Sequence, residues 1–128
     1  MQNAPSKIDY QQTTAMLQIS WPDGSVVGLS AEFLRVHSPS AEVRGHGVGQ
    51  QVLQSGKKNV TITKIEPTGR YAIKITFSDG HDSGLFDWEY LKKLCDQKAE
   101  YWQTYLNRLK DANVTRESMF IDIKQLNG

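Results

Sequence analysis

Apolar and polar positions alternate along two stretches of the chain in the manner of strands. In residues 16–21, Leu17, Ile19 and Trp21 face one way and Met16, Gln18 and Ser20 the other, the period-two pattern of a half-buried strand. Pro22-Asp23-Gly24 supplies turn chemistry, and residues 25–29 return as a second strand, so the pair reads as a hairpin. Ser30 is placed to cap a short helix from 31 to about 36, with Phe33 and Leu34 facing inward. Val60, Ile62 and Ile65 mark a further strand that stops at Pro67-Thr68-Gly69. Residues 71–77 alternate, with Tyr71, Ile73, Ile75 and Phe77 on one face and Ala72, Lys74 and Thr76 on the other. Ser78-Asp79-Gly80 turns the chain, and residues 81–86 are short and extended. Asp87 then caps one long helix running from 88 to about 110.

In that helix Trp88, Leu91, Cys95, Trp102, Tyr105 and Leu109 form one apolar stripe, interrupted by Lys98. A helix of ~23 residues is about 35 Å long, more than a five-strand sheet of this size needs. Its second half, with Trp102 and Tyr105, is therefore expected to overhang and meet a partner. The remaining stretches lack a period. Residues 1–14 read as a flexible N-terminal tail, residues 37–50 as a long irregular loop rich in glycine, and residues 112–128 as a C-terminal tail. Together these features predict an α+β fold spanning residues 15–111. A small, mainly antiparallel sheet of hairpins packs in two layers against one long C-terminal helix plus a short helix.

The chain has 128 residues, 38% of them hydrophobic, which suits a single domain with a modest core. Fifteen basic against 14 acidic residues leave a net charge of +1, so bulk charge predicts neither nucleic acid nor a membrane surface as partner. No apolar run is long enough to span a bilayer, and no secretory signal pattern opens the chain. The single cysteine, Cys95, excludes an internal disulfide framework and points to a cytoplasmic setting. Charge is nevertheless uneven. Residues 35–74 carry seven basic residues against Glu42 and Glu66, and residues 75–90 carry Asp79, Asp82, Asp87 and Glu89. Such complementary segments suit protein docking or self-association better than an RNA groove.

Candidate chemistry is sparse. Gly45-x-Gly47-x-Gly49 lacks the spacing of a dinucleotide fingerprint, and Gly56-Lys57-Lys58 lacks the rest of a phosphate loop. His37, His46 and His81 raise metal or acid–base chemistry. However, His81 is followed directly by Asp82, and neither His37 nor His46 has an acidic residue two positions on. Cys95 sits at an apolar helix position and reads as a small core residue. His81, Asp82 and Ser83 contain triad residue types, but neighbours on an extended segment point to opposite faces.

Several short motifs occur in order: Trp21-Pro22-Asp23-Gly24, Leu34-Arg35, Tyr71-Ala72-Ile73, Asp79-Gly80-His81-Asp82-Ser83, then Trp88 and Leu91. The set resembles the gamma-butyrobetaine hydroxylase-like N-terminal domain family over about residues 16–95. That resemblance implies a small α+β domain which, in carnitine-biosynthesis oxygenases, precedes a 2-oxoglutarate- and iron-dependent catalytic domain. It also implies a zinc site made by Cys-x-Cys-x-x-Cys after the Leu-Arg, together with the histidine of Asp-Gly-His. In this chain those positions hold Ser38, Ser40, Val43 and His81, of which only His81 is a good zinc ligand. No zinc site of that type is expected, and with nothing of jelly-roll length after residue 111 no oxygenase activity is expected either. A related domain is also fused to P-loop scaffold ATPases that handle iron–sulfur clusters, which keeps zinc or iron handling through the three histidines as the alternative. The leading expectation is a non-catalytic adaptor without cofactor, docking a protein partner or a second copy of itself. Its expected contact residues are His37, Arg44, His46, Asp79, His81, Trp102 and Tyr105, with His81 hydrogen-bonding Ser38 or Ser40 in place of metal.

Overall fold

In the computed structural model, residues 4–39, 52–82 and 84–117 are described. Among the described residues, two antiparallel three-stranded sheets and three helices form the α+β fold. The first sheet is β1 (Lys7–Gln11), β2 (Met16–Ser20) and β3 (Val26–Ser30) in that order. The second is β4 (Ile62–Thr68), β5 (Ala72–Phe77) and β6 (Leu85–Asp87), also in sequence order. Helix α1 (Ala31–Val36) links the sheets, while α2 (Trp88–Asp96) and α3 (Lys98–Asp111) follow β6.

Local chemistry explains most boundaries. Leu17 and Ile19 of β2 are fully buried while Met16, Gln18 and Ser20 are half-buried, as alternation requires. Ser30 ends β3 and caps α1, its hydroxyl accepting the Phe33 N–H at 2.9 Å. Asp87 ends β6 and caps α2, its carboxylate accepting the Tyr90 N–H at 2.7 Å. Side chains from both sheets, from α1 and from α2 share one core, centred on Leu17, Ile19, Phe33, Ile75, Phe86 and Leu91. A smaller cluster joins Val36 at the end of α1 to Tyr105 and Leu109 of α3.

Several expectations are corrected. Residues 1–14 are not all tail. Strand β1 pairs with β2 from Lys7↔Ser20 to Gln11↔Met16, and its Tyr10 hydroxyl accepts the Ile62 N–H of β4 at 3.1 Å. The strands form two sheets rather than one. The long helix is two helices, broken at Gln97, whose backbone leaves helical geometry at φ −116 and ψ 27. The break lets the stripe divide, with Leu91 and Cys95 joining the main core and Tyr105 and Leu109 the smaller one. Lys98 begins the second helix and donates from Nζ to the Gly28 carbonyl of β3 at 2.6 Å. Finally, Tyr71 is 65% exposed rather than aligned with Ile73 and Ile75, because pairing starts one residue later, at Thr68↔Ala72.

The C-terminal end of α3 turns sharply at Asn113, which adopts φ 57, the left-handed cap geometry asparagine tolerates. Residues 114–117, expected as tail, fold back onto the segment before β4. The Gly56 and Lys58 N–H groups donate to the Thr115 and Arg116 carbonyls at 3.0 Å each. Residues 118–128 lie outside the described residues. No helix is long and apolar enough to cross a membrane among the described residues.

If β1 is an integral part of the fold, Tyr10→Phe should lower stability by about 1 kcal/mol, by leaving the Ile62 N–H without its acceptor. Denaturant unfolding checks this; an unchanged midpoint would return residues 4–11 to the status of a dispensable end.

Candidate functional site

Helix α1 has all six residues buried, including Glu32 and Arg35. Arg35 finds its counter-charge on the turn between β5 and β6: its Nε donates to Asp79 Oδ2 at 2.9 Å. Lys57 Nζ reaches the same oxygen at 2.7 Å, and the other carboxylate oxygen accepts the His81 N–H at 3.2 Å. Burial pushes the Asp79 carboxyl up, but the Lys57 ammonium, the His81 N–H and the Arg35 guanidinium outweigh it and hold the group at about 2.

One turn past the end of α1 the two segments meet again. His81 Nε2 and Ser38 Oγ share a buried hydrogen bond of 2.9 Å. Gly84 lies directly against this pair, and a Cβ there would overlap Ser38 Oγ and press on Pro39 Cδ. His37 points elsewhere. Its Nδ1–H donates to the Phe33 carbonyl at 2.8 Å, and its ring packs 4.5 Å from Phe33 and 5.2 Å from Tyr101. Its own carbonyl accepts the Tyr90 hydroxyl at 2.6 Å. Burial, and to a lesser degree the nearby Arg108 charge, lower the His37 imidazole, against a raising contribution from the Phe33 carbonyl. A hollow of about 310 Å³ opens beside it, between Leu53, Tyr101 and Arg108.

A larger groove, about 530 Å³, runs along the other side of α1 between the β2–β3 end of the first sheet and the start of α3. Ala15, Phe33, Val60 and Trp102 give it an apolar wall, and Lys58 and Lys98 stand at its rim. At its base Glu32 accepts two hydrogen bonds from Arg116, from Nε at 2.9 Å and Nη2 at 2.7 Å. The Arg116 guanidinium also lies 5.0 Å from the centre of the Trp102 ring. Tyr105, close by, is pushed up to about 12, first by burial and then by the Glu32 charge, with Arg116 opposing.

The contact residues expected from sequence thus separate. His37, Asp79, His81 and Tyr105 each hold the fold together, Tyr105 through a hydroxyl donated to the Gln54 carbonyl at 2.7 Å. Tyr105 is buried rather than overhanging. Trp102 alone of the described candidates lines the large groove. Arg44 and His46, with Ser40 and Val43, lie outside the described residues. The complementary charged segments partly neutralise each other within the chain, through Arg35–Asp79, Lys57–Asp79 and Lys74–Asp82. Cys95 is buried and burial pushes its thiol up, which is the opposite of an activated nucleophile.

Zinc or iron would need a donor set that the residue types at the resembling positions do not supply. Ser38 offers His81 a hydroxyl, and Ser40 and Val43 add no thiolate. Among the described residues no three His, Cys, Asp or Glu side chains gather in one place. Sequence reasoning missed Gly84 and the Glu32–Arg116 pair. The first carried no signal beyond its place after Asp79–Ser83. The second had one: a carboxylate beside Phe33 and Leu34, on a short helix expected to face inward, demands a cation.

Comparison with known proteins gives a consistent answer. The profile of the family described as gamma-butyrobetaine hydroxylase-like, N-terminal, matches residues 8–92. Two proteins with NMR solution structures are similar to this chain. One is 45% identical with TM-score 0.82, the match covering 94% of this chain and 95% of the other. The second is 42% identical with TM-score 0.77, covering 94% and 89%. A protein of unknown function from Acidithiobacillus ferrooxidans ATCC 23270, of the DUF971 family, is 36% identical with TM-score 0.59, covering 70% of this chain and 90% of its own. None of the curated proteins matches.

Two measurements probe the junction. Gly84→Ala should destabilise by about 1–3 kcal/mol through overpacking on Ser38. In a Ser38→Ala background much of that penalty should vanish, and a strictly additive double-mutant cycle would refute the contact. Asp79→Asn should cost about 1 kcal/mol at neutral pH after solvent screening is allowed for. Because the folded carboxyl titrates at about 2, below its ordinary 3.8, this contribution is complete above about pH 5 and lost as pH falls toward 2. Urea midpoints of wild type and variant should therefore converge in acid.

Proposed function

Because the chain belongs to the gamma-butyrobetaine hydroxylase-like N-terminal domain family, yet carries serine and valine at the resembling cysteine positions, we propose that it is a non-catalytic protein-interaction module working without a metal. The observation that carries this reading is the groove built around Trp102. A half-buried tryptophan flanked by Phe33 on one side and an arginine on the other has the composition of an interface anchor, where tryptophan and arginine dominate binding energy. In the groove wall Phe33 and Val60 belong to the core, with Ala15 and Trp102 packed against it, so the wall is already in position before a partner arrives. The Ser38–His81 bond serves this role indirectly, by tying the end of α1 to the β5–β6 turn and keeping the helix in place.

The test is partner capture from host extract with three proteins: wild type, Trp102→Ala, and Tyr71→Ala as an exposed aromatic away from the groove. A partner retained by wild type and Tyr71→Ala should be weakened at least about tenfold by Trp102→Ala, as loss of an interface anchor requires. Matching unfolding midpoints would show that the fold survives. Equal capture by a folded Trp102→Ala protein would remove the groove from the interaction.

A further inference from the structure

The groove already holds one ligand-like group, supplied by the chain itself. Glu32 has a side chain only 5% exposed, whereas Arg116, which neutralises it, is 37% exposed. A carboxylate so buried needs a cation, and its two oxygens are engaged side by side by Nε and Nη2 of one guanidinium. That fork-to-fork geometry selects arginine over the point charge of lysine. Trp102 adds a flat aromatic face at 5.0 Å, the second element of a guanidinium site. The main chain around Arg116 is tied down by the N–H groups of Gly56 and Lys58, and just before it by the Val114 N–H donated to the Leu109 carbonyl. These main-chain bonds do not depend on the side chains of the segment, so recognition falls to Glu32, Trp102 and Lys58. The next residue, Glu117, meets Lys58 Nζ at 2.9 Å.

The geometry points to a recognition site for an arginine followed by an acidic residue, on a segment of a partner protein that takes the place of Arg116 and Glu117. This rests on the reading of the chain as an interaction module and names the chemistry of the partner. Charge complementarity commits the occupant. The buried Glu32 takes the arginine, Lys58 at the rim takes the carboxylate that follows, and the apolar wall of Ala15, Phe33 and Val60 borders the space beside them. The chain's own segment is the resident competitor, tethered to the end of α3 at Asn113.

The test uses the full chain and the peptide acetyl-Val-Thr-Arg-Glu-amide, followed by titration calorimetry. Arg116→Ala opens the site, and Arg116→Gln serves if the alanine variant does not fold cooperatively. Either should bind the peptide at least about tenfold more tightly than wild type, in which the tethered arginine competes at millimolar effective concentration. Replacing the peptide arginine with lysine or citrulline should weaken binding about tenfold or more, and adding Glu32→Gln should abolish the preference for arginine. Absence of binding to a folded variant, or equal binding of the arginine, lysine and citrulline peptides, overturns the proposal. So does a wild-type dimer in sedimentation that Arg116→Ala dissolves, since a second copy would then supply the arginine. Failure of the peptide experiment leaves a Trp102-dependent partner in place, whereas equal capture by a folded Trp102→Ala protein removes the groove from the captured partner's interface whether or not the peptide binds.

Discussion

A six-residue helix without an exposed face carries two opposite charges three positions apart, and the rest of the molecule is arranged to answer them. Burying an unpaired carboxylate or guanidinium costs several kcal/mol, so α1 can take its place only where partners reach Glu32 and Arg35. Neither partner is local. Asp79 comes from the β5–β6 turn, 44 residues on, and Arg116 from beyond α3, 84 residues on. The two ion pairs draw the second sheet and the C-terminal segment against the same helix from different directions. Their value lies in register more than in net stability, because much of the attraction offsets lost hydration.

The junction of Ser38, His81 and Gly84 follows from that docking. Once Arg35 holds Asp79, the backbone of the turn brings His81 to the hydroxyl just past the helix. Gly84 is required there because Ser38 occupies the volume that a side chain would fill. A histidine and a hydroxyl thus share a buried polar contact at the end of the helix. The groove on the opposite flank of α1 has a different character. Its aromatic wall and its buried carboxylate are fixed by the core, while the arginine that fills it arrives on a short paired segment.

Legibility in the sequence tracked distance along the chain. The β2–β3 hairpin, its turn, the Ser30 cap and α1 could be read because alternation, turn residues and capping act within a few positions. Asp87 could be read for the same reason. Strand β1 could not: Ile8 and Tyr10 alone give too short a pattern, and its order comes from pairing with β2 and from the Tyr10 contact to β4. The helix break escaped because the apolar spacing stays helical through Gln97, and only the presence of two separate cores divides the stripe. Complementary charged segments were legible as charge, yet their spacing could not show that Arg35, Lys57 and Asp79 meet within one chain.

Sequence by itself determined the α+β class, the order of most elements and the family likeness. These depend on residue type and short-range period, which survive without coordinates. Tertiary structure alone decided which charges pair, that Tyr105 is buried while Trp102 lines an open groove, and that Arg116 sits on Glu32. Each depends on where residues dozens of positions apart meet in space. The physical reason is that burial and ion pairing are properties of a place, and a place in this fold is built from three distant parts of the chain.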